Sequence, residues 1–173
     1  MIEDLGNIGD FLSGIAVVVT LLYLAHQVRQ NTKSTHSATY QAIVSTMSTF
    51  SRELAYDSER SDIFSRGMMH PEELTVSERI RFYLLQTSYF RNFENIHFQY
   101  KAGAIPDDVW KGWEYRMASS LKTPGCLLWW QRDQLVYSAR FRKYINEVAL
   151  HIDTETLIFT AELTPDNSLG ADA

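Results

Sequence analysis

The chain has 173 residues with four Pro, eight Gly and one Cys, and its net charge is −5. The single Cys126 excludes an intrachain disulfide framework or a CxxC site and suits a reducing compartment. Residues 1–28 carry three acids and no base, residues 29–150 carry 16 bases against 13 acids, and residues 151–173 carry five acids and no base, a balance too weak and mixed for a nucleic-acid-binding surface.

The first element is the stretch Ile8 to Val28. Phe11 to Ala25 contains no charge, and only Ser13, Gly14 and Thr20 soften it. With its flanks it reaches about 20 residues, enough as a helix to cross a hydrocarbon core of roughly 30 Å. A cleaved signal peptide would need a basic start, whereas Glu3, Asp4 and Asp10 make this one acidic. A buried helix of a water-soluble protein is the competing reading. The sequence favours a retained single-pass transmembrane helix. No Lys or Arg precedes the run, and Arg29 and Lys33 follow it, so the positive-inside rule places the N-terminus outside and the bulk in the cytoplasm. Gly9, Ser13, Ala16 and Thr20 recur at steps of four, three and four on one face, the pattern that lets helices approach closely in lipid.

No Gly or Pro interrupts the chain from Val28 to Asp57, so the helix can run on to about Tyr56. Ala38, Ile43, Met47, Phe50 and Leu54 give it an apolar stripe. The Ser and Thr density suggests a break near Thr32–Ser37. Asp57 or Ser58 caps a short helix, SERSDIFSRGM, and Gly67 and Pro71 then interrupt. Thr75 and Glu78 have capping-box spacing and open a helix from Val76 to about Ala102, closed by Gly103. Its apolar residues wrap nearly all the way round, which predicts burial on most sides. Pro106-Asp107-Asp108 starts the next helix, with Val109, Trp110, Trp113, Met117 and Leu121 on one face, and Thr123-Pro124-Gly125 ends it. CLLWWQRDQL forms a short helix with a bulky face at Leu127, Leu128 and Trp130, and Ser138 caps the last one. The tail holds one weak apolar patch, Leu157-Ile158-Phe159, and its composition predicts disorder from about Pro165.

The predicted fold is all-α: residues 1–30 as N-terminal segment and anchor, 31–150 as a cytoplasmic domain of four to six helices, and 151–173 as an acidic, partly disordered tail. Polar Ser88, Arg91, Asn95 and Gln99 line up along the central helix at steps of three, four and four, with Glu94 beside them. A buried charge needs a partner. The stripe therefore reads either as a ligand pocket between helices or as a structural network built on Arg91 and Glu94. Glu94-x-x-His97 has the spacing of a bundle metal site, but the second Glu-x-x-His that such a site needs is missing. Cys126 follows Pro-Gly at a helix start, where a thiolate is favoured, yet its apolar neighbours point to core packing. There is no G-x-S-x-G, phosphate-cradling glycine loop or H-E-x-x-H. No catalytic residue, metal or cofactor is expected.

VVVTLLYLAHQVRQNT, then YFRNFENIHFQYKAG and DDVWKGWE, resemble a group of small bacterial proteins of similar length. These have an N-terminal hydrophobic helix ending in a Q-x-R-Q-N-type sequence and a helical remainder. The resemblance spans most of residues 8–150. It implies a bacterial source and the anchor-plus-helical-domain layout, with no activity or site residue to carry over. The leading functional expectation is a non-enzymatic interaction protein in the bacterial inner membrane, as a homo-oligomer or an accessory subunit of a membrane complex. Its partners would be membrane lipid and copies of itself or other membrane subunits. The alternatives are a small-ligand sensor using the Arg91–Gln99 stripe and a channel-forming oligomer with Ser13 or Thr20 lining a pore.

Overall fold

A computed structural model describes the backbone of residues 2–154 and the side chains of residues 14–154. Among the described residues the protein is all-α, with six α-helices and no strand. The expectations for Gly9, Ser13, Leu157–Phe159 and the tail from Pro165 fall on side chains or residues outside that range.

Helix α1 runs without a break over Ile2–Tyr56, and the chain divides into two units at Gln41 and Ala42. The break expected near Thr32–Ser37 does not occur. The hydroxyls that make this stretch a poor helix former donate instead to carbonyls four residues back: Thr32 to Val28 at 2.9 Å and Thr35 to Asn31 at 3.0 Å. In the first unit, residues 1–41, the apolar side chains from Ile15 to Val28 are exposed. Among the described residues no helix is long and apolar enough to cross a membrane. The uncharged run itself begins at Phe11, upstream of the first described side chain.

The second unit, from Ala42 onward, is a helical domain. The last turns of α1 enter its core through Ile43 and Met47. Asp57 caps α2 (Ser58–Met69) by accepting the Arg60 N–H at 3.0 Å. The helix follows the expected segment SERSDIFSRGM to within one residue and ends before the 3₁₀ turn Pro71–Glu73. Thr75 and Glu78 form the anticipated capping box at the start of α3 (Val76–Lys101): the Thr75 N–H donates to Glu78 at 2.8 Å, and the Glu78 N–H donates to the Thr75 hydroxyl at 3.3 Å.

α3 is the central element, packing against α2, α4 and α5. It buries Phe82, Gln86, Tyr89, Phe90, Phe93 and Ile96, which recur at helical spacing on one face. Burial on most sides is corrected: Val76, Ile80, Leu84 and Phe98 lie in the open on the opposite face. α4 (Asp107–Leu121) buries Trp110, Met117 and Leu121 as its spacing predicts. In α5 (Pro124–Asp133) the buried face is Cys126, Trp129 and Trp130, and Leu128 is exposed rather than packed. Ser138 caps α6 (Ala139–Glu147), which buries Phe141 and Ile145. The core is largely aromatic. Tyr89 and Phe93 meet edge to face at 4.8 Å, and Phe90 reaches Trp129 at 4.9 Å.

Candidate functional site

The stripe on α3 is a surface feature. Ser88, Arg91 and Asn95 are exposed, and Glu94 and Gln99 are half-buried. Arg91, Glu94 and Asn95 come together in a shallow cleft of about 490 Å³ with Asn92, His97, Phe98, Ser138 and Arg140. Ser88 and Gln99 stand outside that lining.

Two of the three charged residues lining this cleft, Arg91 and Glu94, are engaged within the fold. The Arg91 guanidinium donates to a Glu94 carboxylate oxygen and to the Val136 carbonyl at 3.1 Å, and it lies 4.6 Å from the centre of the Tyr137 ring. The other Glu94 oxygen accepts the Ser138 backbone N–H at 2.7 Å. The pair thus ties α3 to the segment between α5 and α6, and Glu94 satisfies a donor at the N-terminus of α6, where a negative charge is favoured. This arrangement is the structural network that the spacing of Arg91 and Glu94 permits.

His97, beneath the same cleft, is enclosed by rings. Tyr144 stacks on it at 4.5 Å, with Trp110 at 5.5 Å and Phe141 at 5.7 Å. Its Nε2 has no hydrogen-bond partner. Burial pushes its pKa down to about 4, helped by Lys101 and Arg140 and opposed by Glu94. The imidazole is therefore neutral at pH 7 and makes no ion pair with Glu94, although the two stand three residues apart. The described group with metal-ligand spacing is a different one, His70, Glu72 and Glu73, and all three are exposed.

Cys126 is fully buried, and burial raises its thiol well above the ordinary range, which removes it from nucleophile chemistry. On α1, Ala16 and Thr20 are exposed, and the Thr20 hydroxyl donates to the Ala16 carbonyl at 2.8 Å. These two small residues therefore share one outward face, as their spacing requires.

A second cleft was not apparent from the sequence. It measures about 360 Å³ and gathers Phe50 and Leu54 from α1, Phe64 and Met68 from α2, Tyr89 from α3 and Arg116 from α4. No local spacing links side chains drawn from four helices. No family model, curated protein or solved structure matches the chain.

Proposed function

We propose that this chain is a membrane-anchored, non-enzymatic interaction module: the N-terminal part of α1 sits in lipid, and the helical domain is held at the cytoplasmic face of a bacterial inner membrane. One observation carries the reading. Ile15, Val17, Val18, Val19, Leu21, Leu22, Tyr23 and Leu24 are each between 45% and 66% exposed. Sheltering one such side chain from water is worth about 1.5–3 kcal/mol, so eight left in water is a large unmet demand.

The distribution of these residues bears on what meets that demand. Successive helical residues are about 100° apart, so 17–19 and 21–24 point to every side of the helix. A partner helix would cover one stripe, whereas lipid tails surround the whole circumference. Phe11 and Leu12 extend the same run in the sequence, and Arg29 and Lys33 lie just beyond it, where basic residues meet the cytoplasmic headgroups. The outward Ala16–Thr20 face gives copies of the helix a surface for close approach within the bilayer.

The test is extraction of membranes from cells producing the full chain. The protein is expected to remain in the pellet after alkaline carbonate treatment and to enter solution only with detergent. Release by carbonate alone would overturn the anchor. Light scattering of the detergent-solubilised protein then reads its assembly: a mass above that of one chain is expected, and a strict monomer would remove self-association.

A further inference from the structure

The cleft among α1, α2, α3 and α4 has an aromatic floor. Phe50 stacks on Tyr89 at 5.1 Å and meets Phe64 edge to face at 5.9 Å, and Phe64 meets Tyr89 edge to face at 6.1 Å. Leu54 and Met68 complete the apolar wall. Phe50, Leu54 and Phe64 are only half-buried, so this surface still faces open space. The polar groups beside it are satisfied within the fold. The Tyr89 and Ser120 hydroxyls pair at 3.4 Å, the Thr123 hydroxyl donates to the Ser120 carbonyl at 2.8 Å, and Arg116 is also partnered. What the cleft lacks is an apolar cover.

The chain passes beside this cleft before its described part ends. The 3₁₀ turn Ala149–His151 packs against α4. The Lys122 ammonium, at the end of α4, donates to the Leu150 carbonyl at 3.3 Å, and Thr123, the next residue, lines the cleft. The sequence after Thr154 offers a single run of apolar residues, Leu157-Ile158-Phe159, between Glu155 and Glu162. Leu157 lies seven residues beyond Leu150. A chain spans up to about 3.3–3.6 Å per residue, so roughly 23–25 Å of reach is available from that point. No Asp or Glu stands among the described lining residues to repel Glu155 and Glu162.

We infer that this cleft is the docking site of the chain's own segment Leu157-Ile158-Phe159. In an extended segment alternate side chains point the same way, so Leu157 and Phe159 enter together over the Phe50, Phe64 and Tyr89 rings. A short tether holds the segment at a high effective concentration, so contact from two side chains suffices. Any other apolar molecule must displace the segment before it reaches the rings. Cleft and segment both belong to the unit that starts at Ala42, so the docking does not depend on the anchor being in lipid.

Met68 lines the cleft and gives the test a local reporter. The purified full chain, in whichever of buffer or lipid nanodisc keeps it monodisperse, carries ¹³C-labelled methionine methyls and a nitroxide on Ala161→Cys. Cys126 is fully buried and does not compete for the label. The nitroxide is expected to broaden the Met68 methyl resonance. Leu157→Ser with Phe159→Ser in the same labelled chain should cut that broadening several-fold, and neither change touches a residue of the described domain. Equal broadening in the two proteins would mean that the segment is tethered near the cleft without entering it, and would overturn the proposal. An unaffected Met68 methyl in the parent would do the same. Dilution into a large excess of unlabelled chain should leave the broadening unchanged; its loss would assign the cover to a second copy and overturn docking within one chain.

Discussion

Gly125 of α5 lies directly against the Gly67 carbonyl of α2: a Cβ built on Gly125 would stand 1.7 Å from that oxygen. α5 can approach α2 this closely only because Gly125 carries no side chain. A Cβ on Gly67 would in turn meet the Phe82 ring at 2.3 Å. Gly125→Ala should therefore push α5 off α2 and destabilise the domain by about 3 kcal/mol, at the upper end of what overpacking costs. Gly112 is the control, since nothing lies within 4 Å of its added Cβ in α4. Gly112→Ala should stabilise by about 0.5–1 kcal/mol, as alanine replaces glycine inside a helix. Chemical denaturation of the three proteins measures both. Equal midpoints for Gly125→Ala and the parent would refute the close crossing.

The Arg91–Glu94 pair makes a second prediction, because Glu94 serves two partners. Glu94→Ala leaves the Ser138 N–H without its acceptor and the Arg91 charge without its carboxylate. Hydrogen bonds to a charged group contribute about 1.5–3 kcal/mol, and this one is partly open to water, so a loss of about 1–2 kcal/mol is expected. The change should be local. Hydrogen exchange should quicken at Ser138 and the first turn of α6 while the Phe90 and Phe93 amides of α3 stay protected. Uniform quickening through α3 would show that the pair supports the core rather than the segment before α6.

How much of this was legible in the sequence follows from how far apart the interacting residues lie. Thr75 and Glu78 are three residues apart, and their capping box could be read directly; so could the start of α4 at Asp107 and the Ser138 cap of α6. The face of α5 is ambiguous in the sequence because Leu128 and Trp129 are both bulky neighbours, and the position of Phe90 decides which of them is covered. The apolar residues spread round α3 gave no direction, so the exposure of Ile80, Leu84 and Phe98 had to come from the packing. Glycine reads as punctuation in a sequence, whereas Gly67 lies inside α2 and leaves room for the Phe82 ring, a contact that local spacing does not show. The cleft at Arg116 is the least legible feature, since α1, α2, α3 and α4 each supply one part of it.

Two groups set separate pH limits on stability. His97 has a folded pKa of about 4 against an ordinary value near 6.5, chiefly because it is buried. Acid therefore favours the unfolded chain, which takes up the proton first. The stability that His97 contributes is fully present above about pH 6.5 and is lost as pH falls toward 4, by roughly 3 kcal/mol in all. Glu78 is held at about 2 by the Arg66 guanidinium and the Thr75 N–H. Its contribution is present above the ordinary carboxylate range and is lost only as pH falls from there toward 2. Stability measured from pH 7 to 4 should decline in the parent and decline far less in His97→Leu. A matching slope in both proteins would assign the acid sensitivity to other groups.

The last prediction separates lipid from a protein partner as the cover for α1. Val18 and Leu22 lie four residues apart on one side of the helix, and both are well exposed. Replacing both with Arg places two cations where hydrocarbon is expected, and each costs about 2.5–3.5 kcal/mol at the centre of a span. If the helix sits in lipid, Val18→Arg with Leu22→Arg should move much of the chain from the membrane pellet to the supernatant. Leu135→Arg, on an exposed residue of the helical domain, should change nothing in that assay. If a water-soluble partner covers the helix instead, the parent will already be in the supernatant, and the double substitution will lower the mass of the assembly without changing its fraction. Fractionation and light scattering on the same three proteins distinguish these outcomes, because insertion responds to charge on any side of the helix whereas a protein interface responds only on the side it covers.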